Sequence, residues 1–230
     1  SALRASKTVR AYVILMDQTD VYYATSGNPL EPDPNNPLYI PISPTPFEDG
    51  IPQAPASKTS LQGRTDIYFR GYDQKMTDIF SFNEWKRDLE AYIAQNGALP
   101  NLIAMALDHD HFGSFSNAVA GVNTPSLQMA DNDYALGLLV EYLSNRPEWK
   151  ETAIFVIEDD AQNGVDHVDA HRSILMVISP FSKRDYVSKV HTSFGSIFKT
   201  FWNILGIPHL NQYDAGATDL SDMFTNTPDY

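Results

Sequence analysis

At 230 residues the chain is long enough for one sizeable domain, and 43% hydrophobic with 20% charged residues is typical of a folded globular protein. A formal net charge of −13, with no cluster of Lys or Arg, argues against a nucleic-acid partner. The absence of cysteine excludes disulfides and Cys-ligated zinc, and no apolar run approaches the roughly 20 residues of a transmembrane helix.

The first half of the chain predicts a strand, a long loop, a helix and a second strand. An apolar run over 9–16 predicts the first strand. A proline-rich stretch over 28–55 predicts an extended surface excursion, either a structural loop or a lid beside a substrate. The apolar stripe over 83–95 predicts a helix that ends at Asn96-Gly97, and the apolar run over 102–107 predicts the next strand.

The second half continues the alternation. Thr124-Pro125 is a typical helix start and predicts a helix over 125–144. Strands are predicted over 152–157 and 173–178, and a last helix is predicted between Thr192 and Gly206. Strands that alternate with helices indicate the α/β class, a largely parallel sheet with helices on both faces, in a single domain over 1–230.

The first candidate site follows the strand over 102–107, where Asp108, His109, Asp110 and His111 stand in a row. Open α/β sheets bind ligands outside the carboxyl ends of their strands. In an extended backbone the two aspartates would face one way and the two histidines the other, so one pair would point into a site. Carboxylate and imidazole are ligands of zinc, manganese and iron, so the cluster predicts a divalent-metal site.

The second candidate site follows the strand over 152–157. It contains Glu158-Asp159-Asp160 and, beyond Gly164, a segment over 166–171 with His167 and His171 four residues apart. Adjacent carboxylates repel one another unless a cation or solvent compensates them. An acidic strand-to-loop junction with hydrogen-bonded histidines is the alternative. Together the two clusters offer ligands for two metal ions a few ångströms apart, an arrangement suited to phosphoryl transfer.

Three other sets of polar residues are weaker candidates for a functional site. Asp131-Asn132-Asp133 falls near the start of the helix over 125–144, where acidic residues complement the helix dipole, and we prefer that role to metal ligation. Arg172 is suited to bidentate contact with phosphate or, equally, to a salt bridge. His191 and His209 stand alone, and we expect them to be structural or exposed.

Three segments of the chain resemble a known family: ADNDYALG over 130–137, TAIFVIEDDAQNG over 152–164 and DHVDAHR over 166–172. They are similar to the phosphoesterase family that groups phosphatidylcholine-type phospholipases C with acid phosphatases in the alkaline phosphatase superfamily. Leu99-Pro100, Asp110-His111, Ser179-Pro180 and Asp214-Ala215 also fit. The resemblance covers 82–224, and the region before Phe82 matches only loosely.

The resemblance implies an alkaline phosphatase-like α/β/α sandwich, here in a shortened form, and metal-dependent hydrolysis of phosphate esters. Position by position, it makes Asp159 and Asp160 metal ligands and His167 a ligand of the metal or of the phosphoryl group. The remaining ligand candidates are Asp110, His111 and His171, and the catalytic candidates are His167 and Arg172. The implied cofactors are one or two ions of zinc, manganese, calcium or iron. The usual location of the family's members implies a periplasmic or secreted protein.

The nucleophile is the part of the family pattern that the sequence lacks. In this superfamily a Ser or Thr that caps a helix precedes the Asp/His clusters, whereas Thr124 follows the first of them. We therefore expect the nucleophile on a part that precedes Ser1, and weak or no phosphatase activity from this chain alone. A non-catalytic module derived from such an enzyme is the alternative. A barrel metallohydrolase ranks last, because 230 residues hold too few strand–helix units.

Overall fold

The structure, a computed structural model, describes residues 2–13, 42–54, 56, 58–158 and 172–230. The chain divides into two compact units: an N-terminal unit over Val9–Leu139, and a C-terminal unit that combines Ser1–Thr8 with Val140–Tyr230. Both contain helices and short strands, so the mixed composition agrees with the class predicted from the sequence. Within the described ranges, no helix has the length and apolar content needed to cross a bilayer.

The described strands form two separate pairs. In the N-terminal unit β1 (Val9–Tyr12) runs parallel to β2 (Leu102–Met105), with Val9 opposite Leu102. In the C-terminal unit β3 (Ile154–Ile157) runs antiparallel to β4 (Leu175–Ile178). The first pair is parallel as predicted. The second differs because apolar runs indicate where strands lie but do not encode the direction in which the chain returns.

The helices of the described residues are, in chain order, α1 (Pro46–Asp49), α2 (Asp78–Asn96), α3 (Pro125–Ser144), α4 (Phe194–Leu205) and α5 (Gln212–Gly216). Single 3-10 turns occupy Leu3–Ala5, Thr59–Leu61, Pro147–Glu151 and Ser221–Met223. Helix α1 lies in residues 42–54, the described end of the proline-rich stretch. The two predicted roles of that stretch, a structural loop or a lid beside a substrate, stay predictions.

The capping signals explain where the long helices begin and end. Helix α2 starts ahead of the predicted Asn83, because the Thr77 hydroxyl accepts a hydrogen bond from the Phe80 amide at 3.1 Å. It ends as predicted at Gly97, which has a left-handed φ of 74°. Helix α3 has its predicted bounds. Helix α4 is capped by Ser193, one residue beyond the predicted Thr192, in a capping box with Ser196.

Asp88 ties α2 to the parallel strand pair. Its buried carboxylate accepts hydrogen bonds from Arg10 Nε at 2.7 Å and from the hydroxyl of Tyr12, both on β1. Tyr12 packs edge-on against Phe69, with ring centroids 5.5 Å apart. The apolar face of α2 is buried beside these residues through Trp85 and Leu89, so this side of α2 forms part of the core of the N-terminal unit.

A second buried acidic group lies on α2, where Glu84 meets Asp66 and Arg87. Arg87 donates from Nε to Glu84 at 2.7 Å and from Nη2 to Asp66 at 2.7 Å. Burial, helped by the hydrogen bond with Asp66 and opposed by Arg87, raises the pKa of Glu84 to about 8. The Glu84 carboxyl is therefore protonated in the folded protein at pH values where it is ionised in the unfolded chain.

This raised pKa predicts a pH-dependent stability. Glu84 stabilises the fold fully below its ordinary pKa of 4.5, and this contribution is lost as the pH rises towards about 8. In urea unfolding at pH 5 and pH 8, we expect Glu84→Gln to show a smaller loss of stability across this interval than the wild type. Glu90→Gln, an exposed change on the same helix, should keep the wild-type difference. Equal pH dependence in Glu84→Gln and the wild type would contradict this assignment.

In the C-terminal unit, α4 and α5 pack closely. The Trp202 indole donates to Asp214 Oδ2 at 2.7 Å, and Asp214 also accepts hydrogen bonds from the Leu210 and Asn211 amides. A Cβ atom on Gly195 would lie 3.0 Å from Cε1 of Tyr213 and 3.1 Å from its carbonyl oxygen. Glycine at this position therefore permits the close approach of the two helices.

Candidate metal centre

Three buried side chains converge at the carboxyl end of β2. Asp78 is the first residue of α2, His109 follows β2, and Asp131 lies on α3. One ligand atom from each lies within 4.8 Å of the others, and the residues are 1%, 0% and 5% exposed. This Asp78–His109–Asp131 triad could hold a metal ion.

The Asp78 carboxylate fastens the turn after β2 to the start of α2. It accepts hydrogen bonds from the backbone amides of Asp108 at 2.8 Å and His109 at 3.1 Å, and from the Asn132 side chain at 2.9 Å. Burial raises its pKa, against the effect of these hydrogen bonds. Asp78 thereby fixes the backbone that carries His109.

Among the described residues, Asp131 forms hydrogen bonds through one of its two carboxylate oxygens. Oδ2 accepts from the Asp78 amide at 2.6 Å and lies 2.8 Å from His109 Nδ1. Oδ1 is buried and has no hydrogen-bond partner among the described residues. A buried carboxylate oxygen without a donor is costly, and a cation is one group that would satisfy it.

The His109 ring contacts hydrogen-bond acceptors on both sides. Nδ1 faces Asp131, and Nε2 lies 3.0 Å from the Gln74 carbonyl oxygen. Burial acts to lower the pKa of His109, but the two hydrogen bonds and the charges of Asp78 and Asp131 together outweigh it, and the pKa is raised. When the ring is protonated, Nδ1 donates to Asp131 and Nε2 donates to the Gln74 carbonyl. A metal ion would replace the proton on Nδ1, so proton and metal compete for one position.

Charge balance favours a divalent ion in this triad. With a neutral imidazole and both carboxylates ionised, the side chains of the triad carry two negative charges. A divalent ion with a neutral imidazole and two carboxylates gives a net charge of zero. Because a buried excess charge is costly, the donor set fits a divalent cation.

The turn after β2 has a buried side and an exposed side. Asp108 and His109 are buried, whereas Asp110 and His111 are exposed. The alternation predicted for an extended backbone is absent, because the chain turns here and the His111 amide donates to the Asp108 carbonyl at 3.1 Å. Asp108 accepts from the Asp73 amide at 2.9 Å, and burial raises its pKa to about 7.

The structure does not bring Asp110 or His111 into the triad. His111 lies against Gln74, which donates to its carbonyl oxygen at 2.9 Å, and against the edge of the Tyr72 ring. Of the other predicted site residues, Arg172 is exposed after the second cluster. Asp159, Asp160, His167 and His171 lie outside the described residues, and their roles stay predictions. His191 and His209 are exposed, as expected.

Sequence reasoning missed Asp78 and gave Asp131 a different role. Asp78 follows Thr77, and the helix start at Thr77 was the one local signal that could have drawn attention to it. Thr77 caps a helix ahead of the first cluster, but no strand of the described residues leads directly into it, so it is not the strand–Ser/Thr–helix junction of the family pattern. It is buried and bonded to its own helix, so it serves as a cap in this structure.

No family model matches the chain, and no curated protein sequence matches it.

Proposed function

We propose that the chain binds a divalent metal ion and acts in the metal-dependent hydrolysis of phosphate esters. One observation carries the proposal: the same turn buries His109 in a triad suited to a cation and exposes Asp110 and His111 to solvent. A hydrolytic site needs ligands that solvent and substrate can reach, and Asp110 and His111 meet that condition. The resemblance of 82–224 to phosphoesterases supports the choice of phosphate esters as substrates.

The proposed fold is a shortened α/β/α sandwich of the alkaline phosphatase type. The parallel β1–β2 pair, with the candidate ligands at its carboxyl end, supports it. We propose that Asp78, His109 and Asp131 hold an ion of zinc, manganese or iron. The imidazole in this donor set makes calcium less suitable, because calcium prefers oxygen ligands. A bound divalent ion would supply positive charge that stabilises the oxygens of a transferring phosphoryl group.

The protein's own groups have separable roles in this proposal. Asp78 and Asp131 neutralise the ion and hold the turn, while His109 provides a nitrogen ligand. Asp110 and His111 present a carboxylate and an imidazole on the outer side of the turn. The predicted roles of Asp159, Asp160, His167, His171 and Arg172 remain part of the proposal.

Phosphate binding tests the proposal without requiring a nucleophile. We expect inorganic phosphate to bind the zinc-loaded chain at least about tenfold more tightly than the metal-free chain, a difference of about 1.4 kcal/mol in calorimetry. The double variant Asp110→Asn/His111→Gln removes the proposed ligands of a second, solvent-accessible zinc ion on the outer side of the turn, so it should lose this gain and still bind zinc at the triad. The exposed change Asp133→Asn on α3 is the matched control and should behave as the wild type.

The second candidate is a non-catalytic metal-binding module. The near-complete burial of the triad favours it, because structural metal sites are closed and catalytic sites keep an open position. If zinc binds but phosphate affinity is the same with and without zinc, the hydrolase proposal is wrong and the module is supported.

A further inference from the structure

Gln128 is a fully buried polar residue on α3, one turn before Asp131. Its amide binds both backbone groups of Gly113: Nε2 donates to the carbonyl at 2.8 Å, and Oε1 accepts from the amide at 3.1 Å. Nε2 also lies 3.4 Å from the Gln74 carbonyl oxygen. Gln128 therefore joins α3 to two loops, one on each side of His109.

The Gln74 carbonyl is the group that both Gln128 and His109 contact. It accepts from His109 Nε2 at 3.0 Å, so it lies between the two side chains. The Gln74 side chain is held as well, since Nε2 donates to the His111 carbonyl at 2.9 Å. A Cβ atom on Gly113 would lie 2.2 Å from Gln74 Oε1, so glycine at this position allows the loops to interlock.

This arrangement determines which nitrogen of His109 faces the carboxylates. A carbonyl oxygen can only accept a hydrogen bond, so Nε2 must carry the proton that it donates to Gln74. Nδ1 is then the nitrogen directed at Asp131. Histidines that bind metals commonly donate their other ring N–H to a carbonyl or carboxylate, which fixes the ring orientation.

We propose that Gln128 is a positioning residue for the triad. By holding the Gln74 carbonyl against Nε2 of His109, it fixes the ring so that Nδ1 is presented to a cation between Asp78 and Asp131. The part of this inference that concerns a metal rests on the proposed function. The part that concerns the ring orientation can be tested in the metal-free protein.

Nuclear magnetic resonance of the metal-free chain, labelled with ¹⁵N-histidine, tests the ring directly. His109→Gln identifies the resonances. In the wild type we expect a proton on Nε2 that exchanges slowly with water. Gln128→Met keeps the side-chain length and removes the amide, so we expect that proton to exchange at least about tenfold faster. Gln53→Met is the matched control: Gln53 is also buried, and its amide binds Arg70 and the Ile51 carbonyl instead.

Gln128→Glu is the second variant: it retains an acceptor for the Gly113 amide, and its ionised carboxylate replaces the donor with a second acceptor and adds a negative charge. It should show the same faster exchange at neutral pH. Gln128→Met, which adds no charge, should also bind zinc about 10- to 100-fold more weakly than the wild type. A wild-type His109 without a proton on Nε2, or variants with wild-type exchange, would overturn the inference. If the exchange result holds and zinc does not bind the wild type, the positioning role stands and the proposed metal function fails.

Discussion

Replacing Asp78 with alanine is expected to lower the free energy of unfolding by about 3 to 5 kcal/mol. The change leaves the buried amides of Asp108 and His109 and the side chain of Asn132 without their acceptor. It also removes a carboxyl group from beside the His109 ring. Urea unfolding of the metal-free protein at neutral pH measures the loss.

Asp133→Ala provides the control for this experiment. Asp133 is an exposed acidic residue on α3, two positions from Asp131, and its removal should change stability by no more than about 0.5 kcal/mol. If Asp78→Ala also cost less than about 1 kcal/mol, the hydrogen bonds of Asp78 would not be holding the turn after β2.

Asp131→Asn is expected to weaken zinc binding at least about 100-fold, which corresponds to about 2.7 kcal/mol. Asparagine keeps the shape of the side chain and an oxygen that can accept from the Asp78 amide. It removes the negative charge and with it the strong interaction of Oδ1 with a cation. Calorimetric titration of zinc into the metal-free proteins measures the difference in affinity.

Asp133→Asn makes the same chemical change at an exposed position of the same helix and should leave zinc affinity at the wild-type value. An equal loss of zinc affinity in Asp131→Asn and Asp133→Asn would indicate a general effect of surface charge. Wild-type zinc affinity in both variants would show that zinc binds elsewhere than at Asp131.

The sequence predicted those helix ends that are set by the conformational preference of one or two residues. Gly97 ends α2 because glycine adopts a left-handed φ readily, and Thr124-Pro125 begins α3 because both residues suit a helix N-terminus. The start of α2 was missed because the first turn, beginning at Asp78, lies ahead of the apolar stripe used to find the helix. The antiparallel direction of β4 depends on the path of the chain, which periodicity does not report.

The candidate site was only partly predictable for a related reason. A row of Asp and His after an apolar strand is a local pattern, and it includes His109, the one residue of this row that belongs to the triad. Asp78 is 30 residues from Asp108 in sequence, and only the fold brings them together. Asp131 was assigned to the helix dipole because its contacts with Asp78 and His109 join residues far apart in the sequence. Such contacts produce no periodic pattern of residues that could be recognised in the sequence.

Anomalous diffraction at the zinc edge, from crystals of the zinc-loaded chain, tests the central claim most directly. We predict an anomalous peak inside the triad, about 2.0 to 2.2 Å from His109 Nδ1 and from carboxylate oxygens of Asp78 and Asp131. The absence of a peak there in zinc-saturated crystals, with His109 Nδ1 still hydrogen-bonded to Asp131, would contradict the account.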